Sequence, residues 1–206
     1  AGSPWTIATY MVAGQGSRDQ HDARSLAYRD PGAFQAIIDA IVEVTVEYLV
    51  GQAMAGAEAV QLFDSWAGSL APAEFERWVI APNAAIVAAL KRRLPDLPII
   101  GFPKGAGEKL PAYVRETGID AVALDETIDP FWADKVLPDG MPVQGNLDPL
   151  LIEAGGANLD YQARRILDCF AGRPHVFNLG HGIGQFTPIE HVEQLLGVVR
   201  AWRRPA

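Results

Sequence analysis

The chain alternates short apolar runs, rich in β-branched and aromatic residues, with segments whose apolar residues recur at helical spacing. The short runs predict strands over residues 4–12, 60–63, 98–102, 121–124, 142–146 and 175–179. The helical spacing predicts helices over residues 31–56, 72–94, 109–117, 131–136, 161–170 and 188–202. The pattern therefore predicts about six units in which a strand is followed by a helix.

Continuous apolar strands that alternate with helices indicate a parallel sheet covered by helices, either doubly wound or closed into a (β/α)8 TIM barrel. No G-x-G-x-x-G follows the first predicted strand, which disfavours a dinucleotide-binding sheet. A barrel has eight strands and about 250 residues, so about six units in 206 residues leave it about two units short. Because the chain also begins Ala1-Gly2-Ser3 without Met, we expect one domain over residues 1–206 that is a piece of a longer protein.

Composition narrows the class of protein. Hydrophobic residues make up 49% of the chain and charged residues 20%, which is enough for a packed core and argues against disorder. The net charge of −8 disfavours a general nucleic-acid binder, and no apolar run approaches the roughly 18 residues of a membrane helix. Cys169 is the only cysteine, which excludes an internal disulfide and a multi-cysteine metal site. We expect a soluble cytoplasmic protein that binds neither nucleic acid nor membrane.

Polar residues follow the predicted strands, at the edge where parallel α/β folds place their sites. Most of them also have an ordinary structural interpretation, as a half-buried strand tyrosine, a helix cap, a turn or a solvated loop residue; these are Tyr10, Ser65, Lys104, Asp125, Asn146 and Asp148. His181 differs because glycines flank it on both sides, and glycines allow backbone to approach a ligand closely. His181 is therefore the strongest candidate for a functional side chain.

Several established chemistries lack their sequence signatures. Cys169 lies inside a predicted helix, which favours a core position over a nucleophile, and Ser65 is not in the G-x-S-x-G pattern of many serine hydrolases. No H-E-x-x-H spacing marks a zinc site. The glycines at 180–184 precede the last predicted helix and are compatible with phosphate binding, although such loops are common.

Four motifs at the predicted strand ends are similar to those of the uroporphyrinogen decarboxylase family. They are PWT with TYM (4–11), QLFDSWAG (61–68), QGNLDP (144–149) and NLGHG (178–182). They occur in the family's order and at similar spacing over essentially the whole chain. The resemblance implies a (β/α)8 barrel, a homodimer and a cofactor-free decarboxylase. This enzyme converts the four acetate side chains of uroporphyrinogen to methyl groups, which gives coproporphyrinogen.

The resemblance also implies roles for individual residues. The family's active-site tyrosine, serine and histidine match Tyr10, Ser65 and His181, which would contact the carboxylates of the substrate. The family's arginine-bearing and aspartate-bearing motifs, which come earlier in its members, have no match here, so the chain aligns with about the C-terminal three-fifths of the family. Arg18 and Lys104 are the basic loop residues left to bind substrate. We expect the 206 residues by themselves to have no useful decarboxylase activity.

Two alternatives remain open at this point. A related barrel family transfers methyl groups from corrinoid proteins and holds zinc with a His-x-Cys pair and a distant Cys. The third predicted strand instead ends in FPKG at 102–105, without such a pair. The second alternative is a non-catalytic tetrapyrrole-binding relative that has kept the barrel, against which the joint retention of Tyr10, Ser65 and His181 argues mildly.

Overall fold

Three helices precede the first strand in the structure, a computed structural model that describes residues 1–204. They are α1 (Pro4–Ala13), α2 (His21–Arg29) and α3 (Pro31–Met54). The helix predicted over 31–56 is confirmed by α3, whereas the strand predicted over 4–12 is wrong. By their contacts the residues divide into two compact units, Ala1–Asp120 and a second unit that begins at Ala121.

Residues 4–12 are helical because the signals at both ends of the segment favour a helix. Pro4 occupies the first turn, where its missing N–H costs nothing. Gly14 ends the helix in the left-handed conformation (φ 66°), and its N–H is donated to the carbonyl four residues earlier. Buried residues lie at the i, i+3, i+4 spacing of one helix face, namely Trp5, Ala8 and Thr9. Burial of this face outweighs the strand propensity of the β-branched and aromatic residues.

Extended backbone lies instead in residues 1–3, beside the first strand, β1 (Val60–Asp64). Phe63 donates its N–H to the Ala1 carbonyl at 2.9 Å, and Ser3 donates its N–H to the Phe63 carbonyl at 2.8 Å. These bonds place the start of α1 beside the end of β1. As a result, Thr6 in the first turns of α1 reaches Asp64.

Two parallel strands form the sheet of the first unit. β1 pairs along its whole length with β2 (Ile99–Pro103), so that Asp64 stands opposite Pro103. The strands predicted over 60–63 and 98–102 are thus confirmed to within one residue. Because the two strands run in the same direction, their carboxyl ends and the loops that follow lie at one edge.

The helical run between these strands consists of α4 (Pro72–Phe75), a π-helical turn (Glu76–Ile80) and α5 (Ala81–Arg93), which confirms the helix predicted over 72–94. Pro82 lies in the first turn of α5 and has no N–H to donate. The wider π turn directly before it accommodates this missing bond. After β2 comes α6 (Leu110–Thr117), which stops at Gly118 in the left-handed conformation.

Aromatic rings join α1, α3 and the π turn in the core of the first unit. The rings of Trp5 and Phe34 are 5.8 Å apart between centroids, and those of Phe34 and Trp78 are 4.8 Å apart, both edge to face. All three side chains are fully buried. Such a pair contributes about 0.5–1.5 kcal/mol beyond its buried area, so this cluster holds α1 in place against its neighbours.

The second unit contains three parallel strands, which pair in chain order: β3 (Ala121–Ala123), β4 (Val143–Leu147) and β5 (His175–Leu179). Its helices are α7 (Pro130–Val136), α8 (Pro149–Ala154), α9 (Gly156–Cys169) and α10 (Ile189–Ala201). The sequence pattern misses α8 and places the start of α9 too late. The other elements predicted in the second unit agree with the structure to within one residue.

Strands alternate with helices in each unit, and the paired strands are parallel, so the predicted α/β class is confirmed. Residues 1–204 contain five strands rather than the six predicted, because the first predicted strand is α1. Short 3-10 turns occupy Ala67–Ser69, Gly107–Lys109 and Phe170–Gly172.

Candidate functional site

Tyr10 lies in the last turn of α1, with 45% of its surface exposed, and its hydroxyl is paired with Trp66. The indole Nε1 of Trp66 donates a hydrogen bond of 3.1 Å to the Tyr10 hydroxyl oxygen, and the two rings are 6.5 Å apart. An indole N–H can only donate, so the phenol oxygen accepts here and its own O–H stays available as a donor. Tyr10 therefore reaches the strand-end edge from a helix and not, as predicted, from a strand.

Trp66 is fixed through its backbone. Its N–H donates to Thr6 Oγ1 at 3.3 Å, and its carbonyl accepts hydrogen bonds from Trp5 Nε1 at 3.0 Å and from Ser69 Oγ at 2.7 Å. Two of these partners belong to α1, the helix that carries Tyr10. The turn after β1 and the helix that carries the tyrosine are therefore joined at several points.

Asp64 is the buried centre of this arrangement. Its Oδ1 accepts a hydrogen bond of 2.6 Å from Thr6 Oγ1, and its Oδ2 accepts one of 3.3 Å from Asn83 Nδ2. Asn83 in turn accepts from Ser3 Oγ at 3.0 Å. Burial raises the pKa of Asp64 to about 7, against the opposing effect of the hydrogen bonds from Thr6 and Asn83. Sequence reasoning did not single out Asp64, although an aspartate at the end of a buried strand was a usable signal.

Ser65 lies between Asp64 and Trp66, in the turn after β1, and is half-buried. The alternative interpretation of Ser65 as a helix cap does not fit. The 3-10 turn that follows is preceded by Trp66, and α4 is preceded by Ala71. Ser65 is thus next in sequence to Trp66, whose indole is paired with Tyr10.

Lys104 follows β2 and is half-buried. Its N–H donates to the Asp64 carbonyl at 3.0 Å, and its carbonyl accepts from the Gly68 N–H at 2.9 Å. A Cβ on Gly68 would lie only 2.8 Å from the Gly105 carbonyl oxygen. The loops after β1 and β2 are therefore in direct backbone contact, with Lys104 at their junction.

Arg18 lies exposed in the segment between α1 and α2. The prediction placed it in a loop after a strand, but the preceding element is a helix. A Cβ on Gly16 would lie 4.0 Å from a ring carbon of Tyr10, so this segment passes beside the tyrosine. Arg18 is thus near Tyr10 in the chain and on the surface.

In the second unit, His181 is exposed in the loop that follows β5. The preceding Gly180 is buried, and its N–H donates to the Leu147 carbonyl at 2.7 Å. A Cβ on Gly180 would lie 2.2 Å from the Glu126 backbone nitrogen. Only glycine fits there, and this close approach fixes the base of the histidine loop. A cavity of about 380 Å³ beside His181 is lined by Glu126, Asp148, Leu150 and Glu153, among others.

Three other polar residues at strand ends have structural partners. Asp125 Oδ1 accepts from the Thr127 N–H at 2.9 Å, and Asp148 caps α8 by accepting from the Leu150 N–H at 2.8 Å. Asn146 is buried and donates from Nδ2 to the carbonyls of Asp125 and Ile128. Asp148, interpreted from the sequence as part of a turn, thus caps a helix, and Asp125, interpreted as a helix cap, instead closes a turn, because the cap of α7 is Asp129. Asn146 joins the end of β4 to the turn after β3 and does not form a turn of its own.

Two kinds of feature are absent from residues 1–204. No group of three or more His, Cys, Asp or Glu side chains within this part of the chain is arranged to hold a metal ion. Among the same residues, no helix combines the length and the apolar character needed to cross a membrane.

Cys169, at the end of α9, is half-buried. Burial raises the pKa of its thiol to about 11, which disfavours the thiolate.

Comparison with known proteins identifies the family. Residues 1–202 match the family model described as uroporphyrinogen decarboxylase (URO-D). The chain is 72% identical over 204 residues to the uroporphyrinogen decarboxylase of Novosphingobium aromaticivorans, covering 99% of this chain and 60% of that protein. It is 56% identical over 200 residues to that of Maricaulis maris, covering 97% of this chain and 58% of that protein. The chain thus spans about 60% of the length of these curated relatives.

A solved methyltransferase from Methanosarcina mazei shares the fold, with a TM-score of 0.80 and 18% identity over 96% of this chain and 56% of that one. At this identity the likeness extends to the fold alone, so it carries no argument about zinc or methyl transfer. The family match and the 72% identity, in contrast, extend over nearly the whole chain. The chain belongs to the uroporphyrinogen decarboxylase family.

Proposed function

We propose that this chain carries substrate-contacting residues of a cofactor-free carboxy-lyase that decarboxylates the acetate side chains of uroporphyrinogen in porphyrin and haem biosynthesis. Family membership supports this function. One structural observation carries the proposal: Tyr10 is exposed, and its hydroxyl oxygen accepts a hydrogen bond from the Trp66 indole. The O–H of Tyr10 can therefore donate to a substrate carboxylate. Ser65 follows Asp64 in the adjacent turn.

The reaction needs no cofactor because the pyrrole ring accepts the electron pair itself. A proton is added to a ring carbon, and the bond between the acetate methylene and its carboxylate then breaks. The electron pair neutralises the cationic ring, and CO2 leaves. Protonation of the methylene and loss of the ring proton give the methyl group, so each acetate consumes one proton and releases one CO2. The protein must therefore bind carboxylates and stabilise a cationic ring.

Tyr10 and Ser65 in the first unit and His181 in the second are proposed to contact carboxylates of the substrate. A phenol, a hydroxyl and an imidazole N–H all donate hydrogen bonds to carboxylates. His181 follows a glycine whose close packing against Glu126 supports a fixed loop base. Rigid support of this kind favours defined positions for substrate-contacting groups.

Arg18 and Lys104 are proposed to supply positive charge for the substrate. Uroporphyrinogen carries eight carboxylates, whereas the chain has 17 basic and 25 acidic residues, so local cations matter more than the net charge. Lys104 is anchored by two backbone bonds to the end of β1 and the turn that follows it. Because few cations are available, we expect the 206 residues by themselves to lack useful turnover.

We further propose a (β/α)8 barrel, a homodimer and a cytoplasmic location. The parallel order of the strands and the helix after each of them support the barrel. The family resemblance supports the homodimer, and a composition with a single cysteine fits a reducing compartment. Light scattering of the purified protein would give its oligomeric state.

The function is tested by incubating the intact protein anaerobically with uroporphyrinogen and separating the octa- to tetracarboxylate products by chromatography. Successive loss of four carboxyl groups without added cofactor is expected. Tight porphyrinogen binding without CO2 release would instead identify a non-catalytic tetrapyrrole-binding relative. One zinc per chain by elemental analysis, together with no decarboxylation, would favour a methyltransferase-like activity.

A further inference from the structure

We propose that Trp66 is a positioning residue that orients the Tyr10 hydroxyl towards a hydrogen-bond acceptor on the substrate. This inference rests on the proposed function, in which Tyr10 contacts a substrate carboxylate. The contact that carries it is the 3.1 Å hydrogen bond from Trp66 Nε1 to the phenol oxygen.

The direction of the hydrogen bonds explains the orientation. A tyrosine hydroxyl can donate or accept, so by itself it does not select a carboxylate over a ligand N–H or O–H. The indole has a donor and no acceptor, which forces the phenol oxygen to accept. The remaining O–H then points away from Trp66 as a donor, and Tyr10 as a whole is 45% exposed, so a ligand can reach the residue. A carboxylate is the ligand group that such a donor binds best.

The donor and acceptor roles are also defined for the groups that bind the backbone of Trp66. Asp64 accepts from the Thr6 hydroxyl at 2.6 Å, which leaves Thr6 Oγ1 to accept from the Trp66 N–H at 3.3 Å. Asp64 and Thr6 are both buried, so water does not compete for these bonds. These bonds hold the backbone of Trp66, and the indole Nε1 of the same residue makes the separate bond to the exposed phenol.

The backbone of Trp66, from which the indole extends, is held by further hydrogen bonds. The Trp66 carbonyl accepts from Trp5 Nε1 and Ser69 Oγ, at 3.0 and 2.7 Å. Trp5 is fully buried in the aromatic core of the first unit. Because this backbone is anchored to the core, the indole loses less entropy when it binds the Tyr10 hydroxyl, which favours preorganisation.

The test combines Trp66→Phe, Trp66→His and Tyr10→Phe in the intact protein. Trp66→Phe removes the donor and is expected to lower kcat/KM for uroporphyrinogen about tenfold, the usual size for one hydrogen bond. Trp66→His keeps an N–H at the matching position of the five-membered ring and is expected to restore most of the loss. In a Tyr10→Phe background, Trp66→Phe is expected to add little, because the group that it orients is gone.

The matched control is Trp202→Phe, because the Trp202 indole also donates to a side chain, Asp168 Oδ1 at 2.8 Å, but lies in the second unit after α10. It is expected to leave kcat/KM unchanged. A second readout does not depend on activity: the chain has five tryptophans, and among their indole ¹⁵N–¹H resonances only that of Trp66 should move upfield in Tyr10→Phe. This readout serves also if Trp66→Phe fails to fold.

The outcomes separate the two proposals. If Tyr10→Phe lowers kcat/KM but Trp66→Phe does not, or if the two losses simply add, the positioning role is overturned and the proposed function stands. An unmoved Trp66 resonance in Tyr10→Phe also overturns the positioning role. If Tyr10→Phe has wild-type kinetics, the contact of Tyr10 with substrate is wrong, and the inference is overturned with it.

Discussion

The carboxyl group of Asp64 and the hydroxyl of Thr6 are 2.6 Å apart in the buried space between β1 and α1. This contact joins the end of the first strand to the helix that carries Tyr10. It is completed by the bond from Asn83 Nδ2 to the second oxygen of Asp64. The geometry of the first unit at its strand-end edge therefore depends on one buried acid.

Asp64 gives a pH dependence of stability that can be measured. Burial raises its pKa to about 7 from the ordinary 3.8, so the folded state binds a proton more tightly than the unfolded state. Its contribution to stability is therefore fully present below about pH 4 and is lost as the pH rises towards 7. We expect the free energy of unfolding of the wild type, relative to Asp64→Asn, to fall between pH 4 and 7 and then to level off. The free energies are measured by urea unfolding at several pH values. A difference between wild type and Asp64→Asn that does not change with pH would contradict this expectation.

Tyr10→Phe removes one hydroxyl from an exposed side chain and should leave the fold intact. If the hydroxyl binds a substrate carboxylate, the loss is about 1–3 kcal/mol of transition-state stabilisation, measured as the decrease in kcat/KM. Tyr28→Phe is the matched control, because Tyr28 is 60% exposed in α2 of the same unit. Equal kinetics for the two variants would show that Tyr10 has only a structural role.

Gly180→Ala tests the fixed base of the His181 loop. Its Cβ would lie 2.2 Å from the Glu126 backbone nitrogen and 2.7 Å from its Cα, so backbone must move. We expect a loss of about 1–3 kcal/mol in the free energy of unfolding. Gly182→Ala, on the other side of His181, has nothing within 4 Å of the added Cβ and is expected to change stability little. Similar thermal unfolding of both variants would refute the close packing at Gly180.

His181→Asn is expected to alter the product pattern without loss of stability, since the side chain is exposed. Impaired handling of partly decarboxylated substrate should make hepta- to pentacarboxylate intermediates accumulate. His21→Asn, a change at another exposed histidine, serves as the control. Unchanged kinetics over all four decarboxylations would remove His181 from the site.

Much of the fold could be predicted because its signals are local. The strand over 175–179 and the start of α3 at Pro31 follow from short apolar runs and from end signals that neighbouring residues supply. The strand predicted over residues 4–12 was wrong because the prediction gave more weight to the β-branched and aromatic side chains than to the proline and glycine at the ends of the segment. The sequence already contained the i, i+3, i+4 spacing of Trp5, Ala8 and Thr9, which the structure shows to be the buried face of the helix.

The site could be predicted only in part, for a physical reason. Tyr10, Ser65 and His181 were accessible through motifs, each within a few residues of chain. The pairing of Tyr10 with Trp66 joins residues 56 positions apart, and that of Asp64 with Thr6 joins residues 58 apart. Such pairs depend on how a helix packs on a strand, and side-chain periodicity carries no information about that packing.

The backbone contact between Gly68 and Gly105 limits how this edge of the protein can change. The two loops touch without any intervening side chain, so neither can gain a larger residue unless the other moves with it. Changes that add bulk at this edge must therefore arise at other positions. Gly16 and Arg18 between α1 and α2 are different, because both are exposed and a Cβ added to Gly16 would lie 4.0 Å from its nearest neighbour, a Tyr10 ring carbon. Larger side chains there can be added beside Tyr10 without moving backbone.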